Sequence, residues 1–190
     1  MKIDSTAKRL LHAKSMWRYI GDTRPPFALA TASGQESVWD YPRPPRLAAD
    51  KREVVIMANG IELARSLNAL RLLETASPPT FYLPRKDIAT HLLVPGSGTS
   101  HCEWKGEAAY GSVRLPAQAQ SQQFDNVAWF YAQPLAPYEA LADHVGFYPQ
   151  LLACFVNGER VQAQPGRFYA GWVTAEVVGP FKGEPGSGGW

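Results

Sequence analysis

The sequence predicts an α+β domain that is rich in β-structure, with mainly antiparallel strands forming a compact sheet or partial barrel and a few short helices. Apolar runs of strand length recur along the chain, and two Asn-Gly pairs separate such runs. Short strands and short helices follow one another in irregular order rather than as alternating strand–helix–strand units. That order favours antiparallel pairing over a parallel sheet.

The first fifty residues are predicted to form a helix and an extended arm. Residues 6–20 are basic and modestly amphipathic, whereas residues 23–49 contain five prolines, which prevent a continuous helix. Apolar side chains in the arm are numerous enough to dock it on the rest of the protein. We therefore divide the chain into residues 1–50, a helix and proline-rich arm packed on the domain, and residues 51–190, a single compact domain.

Two hairpins are the strongest local signals. Asn59-Gly60 separates the apolar runs 54–58 and 61–64, and Asn157-Gly158 separates residues 154–156 from Val161. Asn-Gly adopts positive φ at both central positions of a tight turn, which a two-residue hairpin requires.

The remaining elements follow from local patterns. Leucines in residues 66–74 predict a short helix, as do the proline-started segments 84–93 and 137–145. Strands are expected over residues 80–83, 103–115 and 127–132, with an interrupted strand region over 168–178. The glycine-rich tail is expected to be flexible unless Trp190 is pinned.

Composition limits the classes of function and partner. The 19 basic and 17 acidic residues give a net charge of +2, too balanced for a general nucleic-acid or membrane-surface binder. We find no apolar run of the roughly 20 residues that a membrane span needs, and the N-terminus lacks the apolar stretch of a secretory signal. With two cysteines, the chain is expected to be cytoplasmic with reduced thiols.

Several motifs together resemble a bacterial family, domain of unknown function 427. They are VWDYPRPP, ALRLLETASPPTFYLPRKDI, TSHCEWKGEAAYGSV, AWFYAQP and HVGFYP, within residues 36–150. The continuation FVNGERV, FYAGWVT and GPFKGEPGSGGW resembles a longer cyanobacterial subgroup. The resemblance implies a compact β-rich fold related to the Mss4-like architecture, and the family has also been labelled nucleotidyltransferase-like.

The residues give that label little support. Two-metal nucleotidyl transfer needs grouped carboxylates, commonly Asp-x-Asp after Gly-Ser, and the sequence contains no Asp-x-Asp. A zinc site is not expected either, because Cys102 and Cys154 are too far apart for a Cys-x-x-Cys pair. We predict no metal and no cofactor.

The densest group of candidate residues is the run from His101 to Glu107. On a continuous strand, Glu103, Lys105 and Glu107 would share one face with His101, while Cys102 and Trp104 would face the core. An ammonium between carboxylates either binds a polar ligand or belongs to a solvated ionic strip, and burial decides between them. Gly106 would mark a bulge or a close approach of ligand to backbone.

The thiol next to His101 is interpreted as structural, because neighbours on a strand point to opposite faces and cannot share a proton. A second candidate pair is Tyr82 with Arg85, since Arg offers a planar fork for phosphate or carboxylate. Tyr110 and Trp129 complete the set of predicted ligand contacts, although such aromatic clusters are more often core or interface anchors.

Three hypotheses of function remain open from the sequence. The first is a domain that binds a small anionic or nucleotide-like molecule in a cavity lined by Tyr82, Arg85, Glu103, Lys105, Gly106, Tyr110 and Trp129. If that domain is an enzyme, the candidate catalytic residues are Lys105, Glu107 and His101. The second is a non-catalytic module for homodimerisation or protein interaction, and the third, by family label alone, is a nucleotidyltransferase.

Overall fold

A computed structural model of the protein describes residues 5–116, 123–166 and 168–190. In these ranges the chain forms one α-helix, α1 (Ser5–Ser15), and fifteen strands. The strands are β1 (Glu36–Ser37), β2 (Arg46–Asp50), β3 (Val54–Ala58), β4 (Ile61–Ser66), β5 (Ala69–Glu74), β6 (Ser77–Pro84), β7 (Leu93–Cys102), β8 (Gly106–Arg114), β9 (Gln123–Phe130), β10 (His144–Phe147), β11 (Ala153–Val156), β12 (Glu159–Arg160), β13 (Gln162–Ala163), β14 (Trp172–Val173) and β15 (Val177–Val178).

Two antiparallel sheets dominate the fold. The larger has seven strands in the order β2-β5-β6-β10-β9-β8-β7, and the smaller has four in the order β12-β11-β3-β4. β1 pairs with β15 in parallel, and β13 pairs with β14. The predicted β-rich, mainly antiparallel fold is confirmed, and the sheets do not close into a barrel.

The main core lies between the two large sheets. Phe81, Leu83 and Phe147 of the seven-stranded sheet are buried in one cluster with Ile56 and Cys154 of the four-stranded sheet. Because side chains alternate along a strand, the residues between these positions face away from the main core. Tyr82 accordingly belongs to a separate buried cluster on the other face of the large sheet.

The N-terminal arm and the C-terminal tail pack together. Trp39 is fully buried, Phe27 stacks on Trp190 with ring centroids 5.0 Å apart, and both rings contact Trp39. Nζ of Lys182 donates a 2.9 Å hydrogen bond to the carbonyl of Trp190, so the tail is pinned. The end of the arm forms β2, which pairs with β5 at the edge of the large sheet.

Helix α1 is anchored to a distant hairpin through one arginine. Arg9 donates hydrogen bonds to the backbone carbonyls of Glu103, Trp104 and Ala136 at 2.6, 3.2 and 2.7 Å. The helix ends at Ser15, five residues before the predicted end. Trp17 follows the helix. The centroid of its ring lies 4.2 Å from the guanidinium carbon of Arg43 and 4.2 Å from Nζ of Lys182, a lysine in the tail.

The other helix predictions are wrong. Residues 66–74 are mostly strand β5, because the leucines at 70 and 72 suit one sheet face and Leu73 packs on the arm. Segment 84–93 contains two short 3-10 turns, Arg85–Asp87 and Thr90–Leu92. Segment 137–145 forms a 3-10 turn, Glu139–Asp143, that leads directly into β10.

Most strand predictions are confirmed, including both Asn-Gly hairpins, where Asn59 and Asn157 have φ of 46° and 48°. Residues 80–83 lie within β6 and residues 127–130 within β9, while region 168–178 holds the short strands β14 and β15. The strand predicted over 103–115 is confirmed for residues 106–114, which form β8, but residues 103–105 form a turn, and this correction shapes the site described below. In the described part of the chain, no helix has the length and apolar character to span a membrane.

His144 makes stability depend on pH. Burial lowers the pKa of His144 below the ordinary 6.5, although Asp143 and Asp87 oppose that shift, and Nδ1 has no hydrogen-bond partner among the described residues. Below pH 6.5, His144 therefore binds a proton more readily in the unfolded chain than in the folded protein. The free energy of unfolding falls as pH falls through this range. We expect His144→Gln to remove part of this loss.

Urea unfolding at pH 7 and at about pH 5.5 measures the effect. His91→Gln, at an exposed histidine, is the matched control for losing an imidazole. A His144→Gln variant with the same loss of stability as the parent would contradict the assignment.

Candidate functional site

A row of directly opposed residues crosses five neighbouring strands of the large sheet. Residues that face each other across paired strands lie on the same face, so the row builds one surface. The register gives its members in order as Leu70, Tyr82, Gly146, Trp129 and Tyr110. Tyr82, Trp129 and Tyr110 of this row form the floor of a cavity on the face opposite the main core.

Gly146 leaves room on this surface for the large side chain of Trp129. A Cβ atom at this position would lie 2.4 Å from Cζ2 of Trp129, so the indole rests directly against the glycine backbone. Nε1 of Trp129 donates a 3.2 Å hydrogen bond to the hydroxyl of Tyr82, and the Tyr148 ring lies 4.6 Å from the Trp129 ring between centroids. The aromatic wall is thus fixed by backbone contact and by a buried hydrogen bond.

The hairpin between β7 and β8 replaces the predicted continuous strand. Cys102 pairs with Gly106 across a three-residue turn, 103–105, and Gly106 has a φ of 91°. A three-residue hairpin loop is typically completed by a left-handed residue, which glycine adopts at little cost. The chain reverses at this point, so Glu103, Lys105 and Glu107 do not share a face, and Cys102 does not point away from Lys105.

Lys105 is brought back over Cys102 by this turn. The residue is 6% exposed, its Nζ lies 3.2 Å from Sγ of Cys102, and the ammonium lies 5.6 Å from the centroid of the Tyr131 ring. Burial opposes the charge, but the Glu74 carboxylate and the hydrogen bond to Sγ of Cys102 raise the pKa of Lys105 above its ordinary value. The ammonium is therefore charged at neutral pH inside the fold.

Glu74 is a carboxylate that interacts with the two buried cations, Lys105 and Arg43. Oε1 of Glu74 accepts a 3.2 Å hydrogen bond from Nε1 of Trp104 and lies 3.4 Å from Nε of the buried Arg43. Burial and the Glu74 charge raise the pKa of Glu103, at the turn. Arg43 pairs with Glu74, and Lys105 forms no ion pair with a carboxylate among the described residues.

The cavity between these groups has a volume of about 420 Å³. Eight aromatic residues line it: Tyr82, Trp104, Tyr110, Trp129, Tyr131, Tyr148, Phe168 and Tyr169. Charged or strongly polar lining comes from Glu74, His101, Cys102, Glu103, Lys105 and Gln164. Burial raises the pKa of Tyr82 and of Tyr131, so both hydroxyls stay protonated at neutral pH.

Five of the residues predicted to bind ligand line this cavity: Tyr82, Glu103, Lys105, Tyr110 and Trp129. The candidate catalytic residue His101 lines it as well, as an exposed residue. Their roles in binding and catalysis stay predictions.

The structure does not bring Arg85, Gly106 and Glu107 into the same cavity. Arg85 lies three residues after Tyr82 and reaches the other face of the sheet. Its guanidinium carbon is 4.5 Å from the centroid of the Phe130 ring, and the residue lines a second cavity of about 320 Å³. Gly106 shapes the turn, and Glu107 is exposed on β8.

Sequence reasoning missed several residues of the site. Tyr131 lies two positions after Trp129, and strand alternation alone could have placed it on the same face. Glu74 was hidden by its assignment to a helix. No local pattern points to Arg9, whose hydrogen bonds to the turn span 94 and 95 positions of sequence.

A family model agrees with the resemblance seen in the motifs. The model described as domain of unknown function (DUF427), labelled NTP_transf_9, matches residues 46–161. The chain belongs to the DUF427 family. The matched range of this DUF427 protein includes the 103–105 turn and all five residues of the cross-strand row. No curated protein gave a match.

The described residues of this DUF427 protein contain no group of three or more His, Cys, Asp or Glu side chains arranged to hold a metal ion. The polar groups that face the cavity are instead one buried ammonium, one thiol, carboxylates and phenols. Such a set can bind a charged organic molecule and can move protons.

Gly146→Ala tests how the cavity floor is built. The added methyl group would overlap the Trp129 ring, so we expect about 1–3 kcal/mol of destabilisation and a shifted tryptophan emission. Urea unfolding followed by fluorescence measures both.

Gly111→Ala is the matched control in the same sheet, because its Cβ would meet the Ala128 Cβ at an ordinary 3.6 Å. Equal stability and unchanged emission in the Gly146→Ala variant would show that Trp129 does not rest on Gly146.

Proposed function

We propose that this DUF427 protein binds a small anionic or nucleotide-like metabolite in the cavity on the outer face of its large sheet. One observation carries the proposal: Lys105 is a residue only 6% exposed, it lines an aromatic cavity, and it forms no ion pair with a carboxylate among the described residues. A buried charge is stable when it is paired, and a bound anion would complete this pairing.

The hydrogen-bonding capacity of Lys105 supports an anionic ligand. An ammonium has three N–H donors, and Sγ of Cys102 is the one hydrogen-bond acceptor that Nζ has among the described residues. Two donors are therefore left for an oxygen of the ligand. Phosphate and carboxylate oxygens are the acceptors that bind an ammonium most strongly.

The walls of the cavity support a ligand with a planar group. Trp129 packs edge-to-face against Tyr82 and lies at 50° to the Tyr148 ring. A planar group of a ligand can pack edge-to-face or offset-stacked against the individual rings of such a wall. A volume of about 420 Å³ falls within the range of roughly 300–1,000 Å³ that small-molecule sites occupy.

The same groups could serve a reaction on that ligand. Lys105 would stabilise negative charge that develops on an oxygen. His101 lies at the exposed edge of the cavity, directly opposite Glu107, and would move a proton only on a ligand that extends to this edge. Glu107, the third candidate for catalysis, lies outside the cavity.

A thermal-shift screen of nucleotides, organic phosphates and carboxylates tests the proposal. A ligand present at 100 times its Kd stabilises the folded state by about 2.7 kcal/mol, which for a chain of this size raises Tm by roughly 5–10 °C. We expect Lys105→Met to abolish this shift while the protein stays folded, because a buried charge replaced by an apolar side chain of similar length is tolerated.

Lys86→Met, at an exposed lysine, is the matched control and should keep the shift. An undiminished shift in Lys105→Met would overturn the proposal, as would the absence of any stabilising anion. Magnesium-dependent turnover of a nucleoside triphosphate would instead favour the nucleotidyltransferase hypothesis.

A further inference from the structure

Cys102 occupies a special position in the cavity. It is the last residue of β7, its side chain is partly exposed, and it lines the cavity directly beside the turn that carries Lys105. The 3.2 Å distance between Sγ and Nζ places a positive charge in hydrogen-bond contact with the sulfur. Partly exposed cysteines that lie beside a cation are the ones that commonly react in proteins.

The chain contains its own reference for an inert thiol. Cys154 is fully buried in the core between the two sheets, and burial raises the pKa of Cys154 to about 12. Its Sγ contacts the carbonyl oxygen of Leu152 at 3.9 Å. The two cysteines therefore differ in access and in the charge beside them.

We propose that Cys102 is a nucleophile that forms a reversible covalent bond with small carboxylic acids whose electrophilic carbon adjoins the carboxylate, as in 2-oxo acids. This inference rests on the proposed binding function, and it names the substrate class of the same cavity. The carboxylate would bind the two free donors of Lys105. The adjacent carbon would then lie next to Sγ.

The bond-forming step balances without an oxidant or a leaving group. Sγ attacks the carbonyl carbon of the 2-oxo acid, a C–S bond forms, and the π-electron pair of the carbonyl moves to its oxygen. That oxygen takes a proton from the Lys105 ammonium, which becomes the neutral amine. The product is a hemithioketal, and the reverse step regenerates thiolate and ammonium.

Alkylation by iodoacetate and by iodoacetamide tests this nucleophile in the full-length protein. Iodoacetate places its electrophilic carbon next to a carboxylate, and iodoacetamide is its neutral counterpart. We expect the iodoacetate-to-iodoacetamide rate ratio at Cys102 to exceed that of the urea-unfolded chain by about tenfold or more, because the buried ammonium attracts the anion. Cys154 should stay unmodified in the folded protein.

Lys105→Met should lower that ratio to the value of the unfolded chain. Phenylpyruvate and phenyllactate provide an independent test on the unaltered protein, because they share ring and carboxylate but differ in the carbonyl. Phenylpyruvate should slow alkylation of Cys102 by iodoacetamide at least several-fold more than phenyllactate does.

Equal protection by the two acids would overturn the covalent inference and leave noncovalent binding intact. A rate ratio at Cys102 no higher than in the unfolded chain would overturn it as well. Failure of the binding proposal has a different signature, since no anion would then raise Tm in the thermal-shift screen.

Discussion

The position of the Lys105 ammonium depends on a reversal of the chain within three residues. The turn 103–105, closed by the left-handed Gly106, folds the lysine back over the strand that precedes it, to 3.2 Å from Sγ of Cys102. A buried charge is costly unless it is paired or hydrogen-bonded, so this geometry must be held firmly. Arg9 of helix α1 holds it from outside, by binding the carbonyls of Glu103 and Trp104.

Strand alternation divides the large sheet into two faces with different tasks. One face supplies Phe81 and Leu83 to the main core, and the other supplies Tyr82 and the aromatic floor of the cavity. The described residues hold no metal cluster, and the polar groups that line the cavity include the ammonium, the thiol and phenols. Core and site therefore share the same strands, which couples the shape of the cavity to the packing of the fold.

The sequence predicted local structure best where a residue pair strongly favours one conformation. Asn-Gly pairs located both hairpins, but the leucines of segment 66–74 suited a helix and a strand equally, and pairing with β2 and β6 selects the strand. The sequence singled out Lys105 as a candidate whose burial would matter, and the structure buries it. Its contact with Cys102 was missed because Gly106 was interpreted as a bulge in a strand rather than as the end of a turn. Contacts such as that of Arg43 with Glu74 join distant segments, so local patterns cannot predict them.

The most direct measurement of the central claim is an NMR spectrum of the lysine side-chain ammonium groups at neutral pH. A buried, hydrogen-bonded Nζ exchanges its protons slowly, whereas solvated lysines exchange too fast to be observed. The account predicts a protected ammonium signal that is lost in Lys105→Met and kept in Lys86→Met. A spectrum without such a signal, or one unchanged by Lys105→Met, would show that the ammonium is not held inside the cavity.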